Sequence, residues 1–195
     1  MTSFKSKVAI VTGGGSGYGR GIAEKLRQGG AEVLIADISE FAGVQTASEL
    51  GATFVKANVT SRQDWEAVLT TALDKYGKLD IVVNNAGACY LKKETENVSE
   101  REYDEMMNVN VKALFHCVSV IIPHLLHHKH PAAIVNIAST SGIRPRPGLT
   151  WYNASKAAVI ASTKSLAVEY AAKNIRFNTV CPVFGLTSMY LRRPS

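Results

Sequence analysis

The chain has 195 residues, of which 46% are hydrophobic and 19% charged, and its formal net charge is +6. A globule of this size buries roughly 68–70% of the surface its unfolded chain exposes, so one core and a single domain over residues 1–195 are expected. The basic residues are spread along the chain and form no stripe or arm, which argues against nucleic acid as a partner and suits a small anionic ligand equally well.

Lys5 and Lys7 precede the run Val8-Ala9-Ile10-Val11, which is too short, and too soon interrupted by glycine, to be a secretion signal or a membrane span. A soluble cytoplasmic protein with no membrane partner is the expectation. Short β-branched runs then alternate with longer amphipathic segments. Strands are predicted at 7–11, 32–36, 53–56, 79–84, 132–137 and 176–180; helices are predicted near 17–29, 40–49, 61–75, 101–128 and 152–173, the fourth broken or bent. This alternation predicts an α/β fold with a doubly wound parallel sheet, right-handed crossovers and helices on both faces.

The first strand runs into Gly13-Gly14-Gly15-Ser16-Gly17-Tyr18-Gly19, and the following segment carries Ile22, Ala23 and Leu26 at helical spacing. Glycines between a strand and a helix allow a tight turn, and they let backbone N–H groups and the positive helix end approach a pyrophosphate. The spacing lacks the Gly-Lys-Ser/Thr ending of a phosphate-loop ATPase. Asp37 closes the second strand, where a carboxylate accepts both ribose hydroxyls of an adenosine and repels a 2′-phosphate; NAD is therefore favoured over NADP.

Asn58-Val59 follows the third strand, Thr60-Ser61 with Asp64 and Trp65 reads as a capped helix start, and Gly77 stops that helix. Asn84-Asn85-Ala86-Gly87 follows the fourth strand. Both asparagine-containing turns fall at carboxyl ends of parallel strands, where they either line a ligand crevice or cap loops. In the long helical segment, Asn108 and Asn110 are rival candidates for a buried polar contact to a water.

The three cysteines, Cys89, Cys117 and Cys181, show no CxxC pairing and read as free thiols. His124, His127 and His128 share a helix face near His130, but no Asp or Glu lies among them. They read as a solvated helix end, and no metal site is expected.

Ser139 follows the fifth strand. Tyr152 and Lys156 lie four residues apart at the start of the last helix and so share one face. A tyrosine with pKa about 10 is a poor base at neutral pH, and a neighbouring ammonium brings it toward the working range. Ser139 can hold a substrate oxygen while Tyr152 exchanges the proton.

Thr12 to Gly19, Asp37, Asn84 to Gly87, Asn110, Ser139, Tyr152-Asn153-Ala154-Ser155-Lys156 and Asn178-Thr179-Val180-Cys181-Pro182 together resemble the short-chain dehydrogenase/reductase family over nearly the whole chain. The resemblance implies a Rossmann-type fold and an oxidoreductase that moves hydride between NAD(H) and a secondary alcohol or ketone. It implies a catalytic set of Asn110, Ser139, Tyr152 and Lys156, with Tyr152 as general acid/base, and it selects Asn110 over Asn108. The coenzyme set it implies is Gly13, Gly15, Ser16, Gly17, Tyr18, Gly19, Asp37, Asn58, Val59, Asn85, Ala86, Gly87, Tyr152, Lys156, Pro182, Val183, Gly185 and Thr187. A homodimer or homotetramer is also implied.

The sequence departs from the family pattern in three ways. Asn58 stands where an aspartate is usual, and its carbonyl oxygen is expected to meet the adenine amino group. Pro182-Val183 replaces the usual Pro-Gly, with Gly185 displaced. The resemblance also calls for a seventh strand, a substrate lid and a further helix that the 195 residues do not supply, which leaves a catalytically weak or inactive NAD-binding scaffold or sensor as the alternative. Among enzymes, a 3-oxoacyl-thioester reductase and a sugar or cyclic alcohol dehydrogenase remain open. Tyr90, Arg144, Arg146, Leu149, Trp151, Phe184 and Met189 are expected around the substrate, with the two arginines alternatively pointing to solvent.

Overall fold

The computed structural model describes residues 3–183. Six parallel strands form one sheet in the order β3-β2-β1-β4-β5-β6, with β1 Val8–Thr12, β2 Glu32–Asp37, β3 Thr53–Lys56, β4 Ile81–Asn84, β5 Ala132–Ile137 and β6 Ile175–Val180. All six predicted strands are present, 53–56 and 132–137 with the predicted ends and the other four with one or both ends shifted by one or two residues. The helices are α1 Gly17–Gln28, α2 Glu40–Leu50, α3 Arg62–Tyr76, α4 Glu100–Met107, α5 Ala113–His127 and α6 Thr150–Tyr170.

The strand sequences reflect their places in the sheet. All five residues of central β1 are buried, as are four of the six in β2, because helices cover both faces there. Ala23 and Leu26 of α1 and Ala47 of α2 pack on Val33, Ile35 and Val83 on one face. Trp65 and Val68 of α3 and Cys117, Ile121 and Leu125 of α5 pack on Ile10, Leu34, Val82 and Ile134 on the other. Each fully buried isoleucine or leucine contributes about 1.5–3 kcal/mol through the surface it removes from water. β5 alternates buried with half-buried residues, and in β6 Ile175 and Phe177 are buried while Arg176, Asn178 and Val180 are exposed.

The long helix predicted at 101–128 is interrupted, and the cause is local. A π-helical turn over Asn108–Lys112 separates α4 from α5, whereas Pro123 lies inside α5 without ending it. A single π turn re-aims the residues within it, here turning Asn110 inward. The stretch Glu100–His127 is apolar and long enough to cross a bilayer, but Leu114, Cys117, Ile121 and Leu125 are buried against the rest of the fold, as in a core helix. Ser61 caps α3 through its hydroxyl, which accepts from Asp64 N at 3.2 Å, and Gly77 ends that helix in the left-handed conformation, both as the sequence predicts.

The strand order reverses between β1 and β4. In a doubly wound sheet the crevice at such a reversal, beyond the carboxyl ends of the strands, is where ligands bind.

Candidate active site

A cavity of about 580 Å³ opens over those carboxyl ends. At one end it is lined by Gly13, Ser16, Gly17, Tyr18, Asp37, Asn58 and Val59, and at the other by Ser139, Tyr152, Lys156, Pro182 and Val183. Asn85, Ala86 and Gly87 join the two. Gly185 and Thr187, together with Phe184 and Met189, lie outside the described residues. Gly15 and Gly19 build the turn without lining the cavity.

The shape of the glycine turn follows from two close approaches. Gly13 has φ +61°, and a Cβ on it would stand 3.0 Å from the Ala86 Cα. A Cβ on Gly19 would run into the Gly13 carbonyl oxygen. The turn is tied to the end of β4 by side chains: Thr12 Oγ1 accepts from Asn85 N and Ala86 N, each at 3.0 Å, while Asn85 Nδ2 donates to Thr12 O at 2.9 Å and Gly13 O at 3.2 Å. The first turn of α1 contains no acidic residue and receives no side-chain cap from Ser16. Backbone N–H groups and a helix dipole thus face a space kept open by missing Cβ atoms, an arrangement that fits the pyrophosphate of a dinucleotide.

Asp37 stands beside this turn. Its Oδ2 accepts from Gly15 N at 2.8 Å and its Oδ1 from Ser39 N at 2.9 Å. An ionised carboxylate has about four lone-pair sites, so capacity remains for ribose hydroxyls. Asn58 lines the same end, but its carbonyl oxygen already accepts from Thr60 N at 3.0 Å and Thr60 Oγ1 at 2.9 Å. The atom expected to meet an adenine is thus engaged in the loop that leads to Ser61, while the residue itself still lines the cavity.

At the other end, Ser139, Tyr152 and Lys156 are 7%, 7% and 4% exposed, which marks them as parts of a cleft wall. Lys156 Nζ donates to Ile137 O at 3.0 Å and lies 5.9 Å from the centre of the Tyr152 ring. Burial lowers its pKa to about 8, and the Cys89 and Cys181 thiols act weakly the other way. The amine is still mainly protonated at neutral pH. Burial also pushes the Cys89 thiol up to about 11 despite the nearby lysine, so Cys89 stays neutral. Ser139 Oγ accepts from Ser141 N at 3.1 Å, which fixes the serine at the exit from β5.

Asn110 is buried but does not line the main cavity. Its Oδ1 accepts from Ala88 N at 2.9 Å, and its Nδ2 donates to Ala88 O at 2.9 Å and to Ser155 Oγ at 3.0 Å. The side chain therefore clamps the loop after β4 to α6, with its polar atoms engaged away from the Lys156 amine. A second cavity of about 20 Å³ lies behind the first, bordered by Thr12, Asn84, Asn110, Asn136 and Lys156. That volume can hold one water molecule against these polar groups, the rest of the lining being apolar, with Val59, Trp65, Leu114 and Val159 among it. Lys156 borders both cavities.

The sequence reading missed a buried chain of side chains that holds α6. Asn84 Nδ2 donates to Asn136 Oδ1 at 2.8 Å, Asn136 Nδ2 to Thr163 Oγ1 at 2.9 Å, and Thr163 Oγ1 to Val159 O at 2.6 Å. The available signal was an asparagine inside the apolar strand run, with a threonine seven residues beyond Lys156 on the same helix face. Of the residues expected around the substrate, only Tyr90 lines the cavity among the described ones. Arg144 is exposed, and Arg146 donates to Val183 O at 3.4 Å. Among the described residues, no group of three or more His, Cys, Asp or Glu is arranged to hold a metal ion.

Hydride chemistry needs a dinucleotide beside a proton carrier, and this crevice has fittings for both, which places the chain among the nicotinamide-dependent oxidoreductases. The profile of the short chain dehydrogenase family matches residues 7–194, and the chain belongs to that family. It is 43% identical over 192 residues to 4-formylbenzenesulfonate dehydrogenase of Comamonas testosteroni, covering 96% of this chain and 76% of that one. The fold matches 3-ketoacyl-(acyl-carrier-protein) reductase of Brucella melitensis complexed with NADH at TM-score 0.94 and 39% identity, covering 97% and 80% of the two chains. A short chain dehydrogenase/reductase of Burkholderia phymatum in complex with NAD matches at TM-score 0.92 and 32% identity, covering 100% and 75%. The chain is accordingly an NAD(P)-dependent oxidoreductase.

Proposed function

We propose that this chain oxidises a secondary alcohol or reduces a ketone with NAD(H), and that Tyr152 carries the proton. The observation behind this reading is that Ser139, Tyr152 and Lys156 line the same cavity as the glycine turn and Asp37. A bound nicotinamide supplies the hydride acceptor or donor. Tyr152 removes the hydroxyl proton in oxidation and returns it to the carbonyl oxygen in reduction. Lys156, charged and buried next to Tyr152, favours the phenolate and holds the nicotinamide ribose. Ser139 holds the substrate oxygen. Asn110 keeps the loop after β4 in place and borders the small cavity through which a water would link Lys156 to solvent.

Pyrophosphate falls to residues 13–19, and adenosine to Asp37, Val59, Asn85, Ala86 and Gly87. Pro182, Val183, Gly185 and Thr187 take the nicotinamide end. NAD is preferred over NADP because the Asp37 carboxylate would meet a 2′-phosphate with like charge. The two most similar proteins described above act on a formylbenzenesulfonate and a ketoacyl group, which supports carbonyl substrates carrying an anionic or thioester group. The protein acts as a single domain in the cytoplasm, as a homodimer or homotetramer.

The test is fluorescence titration with NADH and NADPH together with turnover over a panel of alcohols, 3-oxoacyl thioesters and aromatic carbonyl compounds. NADH binding tighter than NADPH, with coenzyme-dependent turnover that Ser139→Ala lowers about a hundredfold, is expected. Tight NADH binding without turnover of any panel member would contradict the proposal.

A further inference from the structure

Helix α6 carries Tyr152 and Lys156, yet it begins without a cap of its own. Its N-cap residue is Leu149, which makes no side-chain capping bond, and leucine has no acceptor to offer the N–H groups of the first turn. The acceptor comes from 61 residues upstream, where the Tyr90 hydroxyl accepts from Trp151 N at 3.1 Å. Trp151 is the second helical residue, one of the two positions that an N-cap side chain normally serves.

Tyr90 also touches the reaction space. It is 8% exposed, packs in one cluster with Met106 and Tyr152, and lines the main cavity. The loop around it and α4 beyond are fastened to the same helix start at three more points. Lys93 N donates to Gly148 O at 3.3 Å, the Thr95 and Thr150 hydroxyls are 2.9 Å apart, and the Tyr103 ring stands edge-on to Trp151 at 5.4 Å.

We infer that Tyr90 is a positioning residue for Tyr152: it caps α6 at Trp151, packs in one buried cluster with Tyr152, and so fixes the phenol relative to Lys156. The inference rests on the reading of Tyr152 as proton carrier. Tyr152 is the third helical residue and lies in the turn that frays when its N–H groups lack acceptors. Lys156 is one turn deeper and is held by Ile137 O. Losing the Tyr90 hydroxyl therefore loosens one member of the pair and leaves the other in place. Proton transfer suffers from displacements of about 1 Å, while the coenzyme grip at the glycine turn does not depend on this contact.

Tyr90→Phe keeps the ring and removes the acceptor. The expected result is a kcat lowered about tenfold, a pH–rate curve whose limb moves to higher pH because the ammonium acts less strongly on Tyr152, and unchanged NADH affinity. A variant with the parent kcat and pH–rate curve overturns the inference, and so does one that loses thermal stability while each folded site turns over as before. Tyr152→Phe is measured alongside. If Tyr152→Phe keeps its turnover, the proton-carrier reading falls and this one with it. If Tyr152→Phe is inactive and Tyr90→Phe fully active, the positioning role alone is overturned. Hydrogen exchange at the Trp151 amide of the unaltered protein gives a check that needs no variant. Protection matching the helix interior is expected, and exchange as fast as in an uncapped first turn overturns the inference.

Discussion

The proposed coenzyme half of the crevice, built from β1, β2 and β3, and the proposed catalytic half, built from β4, β5 and α6, use different materials. In the first half the surface is mostly backbone: glycines without Cβ atoms, the N-terminus of α1, and one carboxylate held by Gly15 N and Ser39 N. In the second it is mostly buried side chains, some held by partners far away in sequence, such as Asn110 at Ala88 and Ser155, and the start of α6 is held through Trp151 N at the Tyr90 hydroxyl. A backbone site tolerates little change of shape, because a new methyl group meets backbone that cannot move aside. A side-chain site tolerates changes of shape better than changes of chemistry.

The largest expected effect falls on the catalytic half. No carboxylate among the described residues pairs with Lys156, so its charge is a cost to folding, and under the proposed mechanism it is also a requirement for turnover. Its pKa drops from 10.5 to about 8 on burial. The cost is therefore full below about pH 8, where the folded protein holds the proton, and it fades as pH rises toward 10.5, where both states have lost it. Lys156→Met should lower turnover by about 10²–10⁴-fold and raise stability at pH 7 by about 1–2 kcal/mol, a gain that disappears near pH 10.5. Steady-state kinetics and denaturant unfolding at both pH values check this. Unchanged turnover would remove the distinction between the two halves.

Gly19→Ala probes the backbone half. The added methyl meets the Gly13 carbonyl oxygen, so stability should fall by about 1–3 kcal/mol and NADH affinity about tenfold or more. Calorimetry and NADH titration read both effects; a variant that binds NADH as the parent does would show that the turn has slack. Asp37→Ser sharpens the comparison within the same half, because it changes charge with little change of shape. NADH should bind about tenfold more weakly, through loss of charge-assisted bonds, and NADPH better than it does to the parent.

The smallest effect on catalysis is expected at the seam where the halves meet, at the sheet edge opposite the cavity. Asp80 accepts from Val8 N at 2.9 Å and from Lys7 Nζ at 2.9 Å, with Lys78 and His130 also near. Burial pushes its pKa up, but the bonds from Lys7 and Val8 and the charge of Lys78 outweigh that and hold it below 3.8. A carboxyl group with a lowered folded pKa contributes stability that is present above its ordinary value and is lost as pH falls through the lowered one. Asp80→Asn should therefore cost about 1–2 kcal/mol at pH 7, with a difference from the parent that shrinks below about pH 4, and leave turnover per folded site unchanged.

The two halves also differed in how far the sequence revealed them. Gly13 to Gly19 and Asp37 are neighbours along the chain or separated by one β-α unit, so strand period and turn chemistry place them directly. Tyr152 and Lys156 were legible for the same reason, since four residues on a helix make one face. What joins the elements was not legible. The π turn at Asn108–Lys112 interrupts an otherwise continuous helical pattern, and the sequence reading anticipated the break but not its form. The Asn58 carbonyl turned out to serve Thr60 because a short loop offers it nearby donors before any ligand arrives. The Asn84–Asn136–Thr163 chain and the Tyr90–Trp151 bond pair residues tens of positions apart, and no local pattern encodes such pairs.

The central claim is that Tyr152 moves the proton while the coenzyme is held elsewhere in the crevice. Tyr152→Phe, assayed for turnover and for NADH binding in the same preparation, tests it most directly. Turnover lost by about 10²-fold or more with NADH affinity close to the parent's is the predicted result. Turnover equal to the parent's at saturating coenzyme would contradict it.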